Sequence, residues 1–132
     1  MIVVDTSALL EALLQTPVAA VVEERLLGEE LPLHAPHLID LEVTQVLRCC
    51  EATGRVEAAR CQDALDDLRD FSLRRYQHDV LLPRVWELRH NLTAYDAAYV
   101  ALAEALGATL LTRDRRLADA SGHHARVELV QP

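Results

Sequence analysis

The chain has 132 residues, a formal net charge of −8 and an apolar share of 51%. This length suits one domain, the apolar share excludes a disordered chain, and no apolar run reaches the roughly 18–20 residues that a membrane-spanning helix needs. The N-terminus lacks the basic stretch of a secretion signal. We therefore expect one soluble, cytoplasmic domain over residues 1–132 that has no membrane partner.

The first half of the chain alternates short apolar segments with stretches whose apolar residues recur at helical intervals. Pro17, Gly28 and Gly54 mark the ends of three of these stretches. In chain order, the predicted elements are a strand at 2–4, helices at 6–14 and 18–27, a weak strand at 31–35, and helices at 38–52 and 55–69.

The second half continues this alternation and contains an Ala-rich helix that ends at Gly107. The predicted elements are a strand at 71–76, helices at 80–91 and 94–106, a strand at 109–111, a helical turn at 113–120 and a strand at 127–130. This pattern predicts an α/β domain, a three-layer α/β/α sandwich around a short, mostly parallel sheet. Ligands of such sheets bind beyond the carboxyl ends of the strands.

The cysteines and the basic residues exclude several functions. Cys49, Cys50 and Cys61 are too few for a disulfide framework and lack metal-binding spacing, so we expect buried, reduced thiols. The six histidines also lack metal-ligand spacing, and no catalytic role is predicted for them. All 13 basic residues are arginines, which excludes mechanisms that require a lysine, and the net charge argues against a broad basic face for nucleic acid.

Three acidic residues lie where predicted strands end or helices begin. Asp5 follows the first strand directly, and Asp114 follows the fourth. Asp5 is also at a position typical of a helix N-cap, whose side chain accepts hydrogen bonds from free backbone amides. After the fourth strand, Thr112 is a candidate cap and Asp114 lies in the first helical turn, where it too could serve as a cap. Asp96 lies three residues after Thr93, which is the spacing of a capping box. Helix capping alone is therefore an alternative explanation for each acid.

A fourth acid, Glu42, lies on the apolar face of a predicted helix. At about 100° per residue it falls within an arc formed by Ile39, Val43, Val46, Leu47 and Cys50. A charged carboxylate on a buried face is costly unless it meets a cation or a metal, or takes up a proton. A structural salt bridge is the alternative interpretation.

Convergence of these four acids on one pocket would create strong repulsion between carboxylates. Hard divalent cations such as Mg²⁺ or Mn²⁺ prefer carboxylate and water oxygens, so they would relieve it. Phosphodiester hydrolysis uses such a site, because a metal there activates water and neutralises charge on the phosphate. Bound cations would also offset the negative potential that disfavours a nucleic-acid substrate.

Four segments, in this order, resemble the motif set of PIN-domain nucleases of the VapC group. They are Val3-Val4-Asp5-Thr6-Ser7-Ala8-Leu9-Leu10, Leu41-Glu42-Val43, the stretch from Leu92 to Ala103 around Asp96, and Leu111-Thr112-Arg113-Asp114. An isolated Asp-Thr-Ser is weak evidence, but the longer stretch combined with the other three is specific. The resemblance implies a Mg²⁺-dependent endoribonuclease, with Mn²⁺ as a substitute, that acts as the toxin of a toxin–antitoxin system.

The resemblance also implies roles for the four acids. Asp5, Asp96 and Asp114 would bind Mg²⁺, and Glu42 would complete the site directly or through water. It further implies a cognate VapB-type antitoxin whose basic C-terminal segment enters the acidic site. Homodimers are usual in this family.

Hydroxyl side chains are implied as supporting residues. Thr112 would orient Asp114 or a metal-bound water, and Thr6 or Ser7 would support Asp5 by hydrogen bonding, as metal sites commonly require. No acid of the family pattern is missing from the chain.

Arginines are the candidates for RNA contact. Arg89 precedes the Ala-rich helix, and Arg113, Arg115 and Arg116 surround Asp114, where they could reach phosphates that flank the cleaved bond. Ordinary solvated surface charge is the alternative for each. Trp86 shares a helical stripe with Arg89, and this stripe favours a core or dimer contact over base stacking.

Other protein classes share parts of this pattern. Phosphoacceptor receiver domains also place acids and Mg²⁺ on an α/β sheet, but they resemble this chain only partly, because they use a paired acid after the first strand and a late lysine. Haloacid-dehalogenase-type phosphatases need a second acid at the position of Ser7. A non-catalytic interaction module of the same fold, whose acids bind a basic partner peptide, stays open from the sequence.

Overall fold

The computed structural model describes residues 1–132 and contains a five-stranded sheet with helices packed against it. The strands are β1 (Ile2–Val4), β2 (Leu33–Pro36), β3 (Leu73–Tyr76), β4 (Thr109–Thr112) and β5 (Arg126–Leu129), in the spatial order β3-β2-β1-β4-β5. Every neighbouring pair is parallel. The predicted α/β/α architecture with a short, mostly parallel sheet is confirmed.

Seven α-helices and a 3₁₀ helix (Asp79–Leu81) connect the strands. The α-helices are α1 (Thr6–Leu13), α2 (Ala19–Leu26), α3 (Leu38–Ala52), α4 (Ala58–Asp70), α5 (Leu82–Glu87), α6 (Ala94–Leu106) and α7 (Arg115–Asp119). α1 packs against α2, α3 and α4, whereas α6 packs against α5 and against β1, β2 and β4. None of the helices combines the length and the apolar character that crossing a membrane would require.

β1 and α6 lie in a hydrophobic core of 30 buried residues. All three residues of β1 are buried, and so is every residue of α6 from Ala97 to Ala103. A helix that is apolar on all sides is stable only when protein surrounds it, and small alanine side chains allow its backbone to approach the sheet. This close packing fixes the start of α6, and with it Asp96, against the centre of the sheet.

Several predicted boundaries shift. The predicted helix at 80–91 is divided into the 3₁₀ turn and the short α5, whose first turn contains Pro83, a residue that has no backbone N–H to donate. The weak strand predicted at 31–35 is found at Leu33–Pro36, and the helix predicted from residue 55 begins at Ala58.

Three predictions of burial need correction. Val46 is 37% exposed, so the apolar stripe on α3 narrows to Ile39, Val43 and Leu47. Cys49 is exposed and only Cys61 is fully buried, so the expected burial of all three cysteines was wrong. The side chain of Trp86 is 68% exposed, which excludes a place in the core and leaves a contact surface as its predicted alternative.

Candidate active site

The sheet reverses its direction of growth between β1 and β4. The chain adds β2 and β3 on one side of β1, and then places β4 and β5 on the other side. In open α/β sheets, ligands bind in the crevice outside the carboxyl ends of the strands at such a reversal. Asp5 directly follows β1, and Asp114 follows β4, so both acids lie at this crevice.

Asp5 is the buried acid of the site, with 6% of its surface exposed. Its Oδ1 caps α1 by accepting a hydrogen bond from the backbone N–H of Ala8 at 3.0 Å, and it accepts another from the Ser7 hydroxyl at 2.7 Å. The hydroxyl of Thr112 donates to Oδ2 at 2.5 Å. Burial raises the pKa of Asp5, these three hydrogen bonds act in the opposite direction, and the charge of Asp114 raises it further.

Ser7 and Thr112 also tie Asp5 to the segment that follows β4. Because each hydroxyl has one hydrogen and donates it to Asp5, its oxygen is left to accept. The Ser7 oxygen accepts from the backbone N–H of Arg113 at 2.8 Å, and the Thr112 oxygen accepts from that of Asp114 at 2.9 Å. The backbone next to Asp114 therefore orients both hydroxyls that hold Asp5.

Asp114 and Asp96 are only partly buried. Asp114 caps the short α7 by accepting from the backbone N–H of Arg116 at 2.9 Å, and its Oδ2 lies 3.6 Å from the Arg116 guanidinium. Burial raises the pKa of Asp96, and the charge of Asp114 adds to this effect, whereas Arg116 lowers the pKa. Since Asp114 also raises the pKa of Asp5, its charge acts on both of the other acids.

Two of the four acids cap helices, as the sequence suggested. Capping does not prevent the same acids from forming an active site. Asp5 and Asp114 each cap a helix through Oδ1. The α6 cap is instead Thr93, whose hydroxyl accepts from the backbone N–H of Asp96 at 3.2 Å. The carboxylate of Asp96 is therefore not the cap of its own helix.

Glu42 is held by hydroxyl groups and takes part in no ion pair. Its Oε1 accepts from the Thr6 hydroxyl at 3.0 Å and from the Tyr99 hydroxyl at 2.6 Å. The salt bridge considered from the sequence is thus not present. Thr6 bonds to Glu42, while Ser7 is the residue that bonds to Asp5.

Tyr99 is a site residue that the sequence reasoning did not single out. It is 2% exposed, and burial, together with the hydrogen bond to Glu42, raises the pKa of its hydroxyl far above the ordinary value, so this group stays protonated and can donate. The sequence feature that could have identified Tyr99 is its position three residues after Asp96, because this spacing places both side chains on one face of α6. It is also the only large polar side chain in the buried stretch of that helix.

The donor atoms fit a hard divalent cation in type, since they are carboxylate and hydroxyl oxygens. No three or more Asp, Glu, His or Cys side chains stand close enough together to hold a metal ion, however. The structure therefore does not contain the cage of four converging carboxylates expected from the sequence. Mg²⁺ usually keeps several waters and needs only one or two carboxylates, so a site of interacting but separated acids still suits a hydrated ion.

Arg113 and Arg116 flank Asp114 but differ in their environments. Arg113 is 24% exposed, donates from Nη1 to the backbone oxygen of Val130 at 2.8 Å, and has its Nε 3.6 Å from Glu11. Its guanidinium therefore binds the end of the chain to α1. The side chain of Arg116 is 90% exposed beside Asp114.

The other two arginine candidates also have protein contacts. The guanidinium of Arg89 lies 4.4 Å from the centre of the Trp86 ring and donates to the Trp86 backbone oxygen at 2.8 Å. Arg115 contacts the Gln131 side chain at 3.4 Å and is exposed. Both remain on the surface.

An apolar patch borders the site. Its five large side chains are each more than half exposed, and they are Leu41, Val80, Leu82, Trp86 and Tyr95. Two of them, Leu82 and Tyr95, line a cavity of about 170 Å³, whose other walls are almost entirely apolar side chains of α3, the 3₁₀ helix, α5 and α6. Tyr95 is the chain neighbour of Asp96, so the patch adjoins the acids. Exposed apolar surface of this kind marks an interaction site.

These features define a class of protein, namely a parallel α/β domain with interacting carboxylates at its switch point. The family model described as "PIN domain" matches residues 2–122. Over 119 residues, the chain is 47% identical to VapC ribonuclease Mb0985 of Mycobacterium bovis, with 90% of each chain covered. It is 42% identical to Ribonuclease VapC1 of Mycobacterium tuberculosis over 130 residues, covering 98% of this chain and 97% of that protein. The chain belongs to the PIN-domain family, among the VapC ribonucleases.

Solved structures share the fold. VapBC2 from Rickettsia felis, solved bound to a DNA fragment from its promoter, superposes with a TM-score of 0.72 at 16% identity, and the match covers 99% of this chain and 100% of that one. PAE2754 from Pyrobaculum aerophilum superposes with a TM-score of 0.70 at 24% identity, over 96% and 81% of the two chains. At these identities, the likeness supports the fold alone.

Proposed function

We propose that this chain is an endoribonuclease that hydrolyses RNA phosphodiester bonds and acts as the toxin of a toxin–antitoxin system. The observation that carries the proposal is the placement of Asp5 and Asp114 directly after β1 and β4 at the switch point of the sheet, where the charge of Asp114 raises the pKa of both Asp5 and Asp96. Relatives that match almost the whole chain are named ribonucleases, which supports it. We take residues 1–132 to be one nuclease domain that works in the cytoplasm, where its free thiols stay reduced.

We propose Mg²⁺, with Mn²⁺ as a substitute, as the cofactor. VapC nucleases of the PIN family generally depend on divalent metal ions. Asp5, Asp96 and Asp114 would hold the ion, and Glu42 would complete the site directly or through water. When bound, such an ion supplies an activated water nucleophile and neutralises charge on the phosphate.

The chain's own residues prepare the site for this chemistry. Ser7 and Thr112 fix both oxygens of Asp5, so this carboxylate needs no reorientation when the substrate arrives. Asp96 and Asp114 keep part of their surface open to solvent and so to RNA. Thr112 also accepts from the backbone of Asp114 and thereby fixes the position of the second acid relative to the first.

We propose that RNA is held by arginines at the rim of the site. Arg116 has the strongest support, because it is 90% exposed and its guanidinium lies 3.6 Å from Asp114. Arg89 and Arg115 lie on the surface and would add contacts to phosphates farther along the strand. Arg113 would contribute least, since its guanidinium is occupied by Val130 and Glu11.

Features of the surface support two proposed protein partners. A VapB-type antitoxin with a basic C-terminal segment would complement a chain of net charge −8 whose acids are partly exposed at the switch point. A second copy of the chain would cover the apolar patch, where Trp86 and Tyr95 are of the residue types that dominate binding energy at interfaces. We therefore propose a homodimer built on this patch.

The decisive experiment uses the purified chain without an antitoxin. With Mg²⁺ or Mn²⁺ it should cleave cellular RNA, and EDTA should stop the reaction. Asp114→Asn, purified in the same way, is the control for contaminating nuclease. If the wild-type chain and this variant give identical RNA profiles, the nuclease proposal fails, and binding of a basic peptide would then favour the interaction module.

A further inference from the structure

Three helices of the molecule meet at a hydroxyl bridge formed by Thr6, Glu42 and Tyr99. Thr6 is the first residue of α1, Glu42 lies in α3 and Tyr99 lies in α6. The two hydroxyl oxygens are 3.0 Å apart, and each lies within 3.0 Å of Glu42 Oε1. The bridge thus joins α1, which begins directly after Asp5, and α6, whose first turn contains Asp96, to α3, which contains Glu42.

The hydroxyl of Tyr99 has no other role in the fold. It donates to Glu42, its only other polar neighbour is the Thr6 hydroxyl oxygen at 3.0 Å, and its ring lies in an apolar stretch of α6. A phenylalanine would fill the same volume without the cost of taking a hydroxyl out of water. The hydroxyl therefore contributes what phenylalanine cannot, a short hydrogen bond that holds one oxygen of Glu42.

The position of this hydrogen bond relates it to the acids. Tyr99 lies one turn after Asp96 on the same face of α6, and Thr6 directly follows Asp5. Both hydroxyls bond to Oε1, so Oε2 of Glu42 is the oxygen that remains for a cation or for its water. We infer that Tyr99 is a positioning residue, which acts through Glu42 to hold that acid in the metal site. This inference rests on the proposed function.

Removal of one oxygen atom tests the inference. Tyr99→Phe should weaken Mn²⁺ binding, measured by titration with electron paramagnetic resonance, on the order of 10-fold, as is typical when a supporting hydrogen bond is lost from a metal site. The melting temperature in EDTA should stay near that of the wild type. Tyr76→Phe is the matched control, because the Tyr76 hydroxyl bonds to His34 at 2.7 Å, away from the acids, and its loss should not change Mn²⁺ binding.

A double-mutant cycle shows whether Tyr99 acts through Glu42. In a Glu42→Gln background, Tyr99→Phe should cause little further loss of Mn²⁺ affinity, since the group it positions is already altered. An equal loss in both backgrounds, or unchanged Mn²⁺ binding by Tyr99→Phe alone, would overturn the inference while leaving the proposed function in place. A wild-type chain that binds no Mn²⁺ and cleaves no RNA would overturn both.

Discussion

The inner and outer acids of the site differ in how the protein holds them. Both oxygens of Asp5, the inner acid, accept hydrogen bonds from the chain, and its side chain is almost completely buried. The outer acids, Asp96 and Asp114, are partly exposed, and the Arg116 guanidinium lies 3.6 Å from Asp114 and lowers the pKa of Asp96. A buried carboxylate must have its partners before any ligand arrives, because an unpaired buried charge is very costly. The outer acids can depend on a cation or on water.

This difference gives the two kinds of acid different roles: the inner acid is preorganised, and the outer acids are accessible to solvent. The inner acid is rigid because one strand and two hydroxyls hold it, whereas the outer acids meet solvent where RNA would approach. Variants of the inner acid's supports should therefore change both stability and activity. Variants of the outer acids should change activity and leave the fold intact.

The largest expected effect comes from neutralising the acids. Asp5→Asn, Asp96→Asn and Asp114→Asn should each reduce RNA cleavage by at least about 100-fold. Each variant removes a charged metal ligand, whereas loss of a group that only supports a ligand typically costs less. Far-UV circular dichroism should show an unchanged fold, because asparagine is also a good helix cap at positions 5 and 114, and Asp96 does not cap its helix. Unfolding of Asp5→Asn and Asp114→Asn would mean that these two acids serve mainly as structural caps.

Thr112 tests how the supports of the inner acid differ from the outer acids. Thr112→Val removes the hydroxyl that donates to Asp5 and accepts from the backbone of Asp114, with little change in volume. We expect cleavage to fall roughly 10–100-fold and the free energy of unfolding to fall by about 1–3 kcal/mol, because buried partners lose their hydrogen bonds. Urea denaturation measures the second effect. Thr109→Val on the same strand is the control and should change neither.

The apolar patch adjoins Asp96, an outer acid, through its chain neighbour Tyr95, so loss of the proposed dimer should leave the inner acid undisturbed. Trp86→Ala should weaken self-association on the order of 30-fold in Kd, the effect of losing an interface anchor worth about 2 kcal/mol. Analytical ultracentrifugation measures it, with Leu27→Ala, an exposed apolar residue outside the patch, as the control. Equal dimer affinity in Trp86→Ala and the wild type would place the interface elsewhere.

The smallest expected effect concerns pH. The pKa of Asp96 is raised in the folded chain by burial and by the charge of Asp114, so the folded state binds this proton more tightly than the unfolded state does. The contribution of Asp96 to stability should therefore be lost as the pH rises from about 3, below its ordinary pKa of 3.8, through the raised pKa. In EDTA, Asp96→Asn should melt on the order of 3 °C above the wild type at pH 7 and show no advantage at pH 3. A constant difference at both pH values would contradict this electrostatic account.

Local patterns in the sequence were sufficient for the architecture. The apolar strands around Asp5 and Asp114 and the Ala-rich α6 predicted a parallel α/β sandwich, because strand and helix periodicities are properties of short segments. The same patterns placed acids at the ends of strands. They could not predict that α5 would be as short as six residues, since Pro83 and packing against α6 decide where that helix begins and ends.

Partners distant in sequence could not be predicted in this way. The sequence singled out Glu42 as an acid on an apolar face, but its partners, Thr6 and Tyr99, are 36 and 57 residues away along the chain. The exposure of Cys49 and Trp86 likewise depends on which neighbours cover each helix face. Periodicity identifies a face but does not state what packs against it.

The order of residues by itself determined the parallel α/β sandwich and the four acids, because strand ends, helix starts and apolar periodicity are written in consecutive residues. Only the tertiary structure decided which acid is buried, which hydroxyl holds which carboxylate, and that the acids interact without forming a closed cage. These properties depend on distances between segments far apart in the chain, and such distances are set by how the helices pack on the sheet.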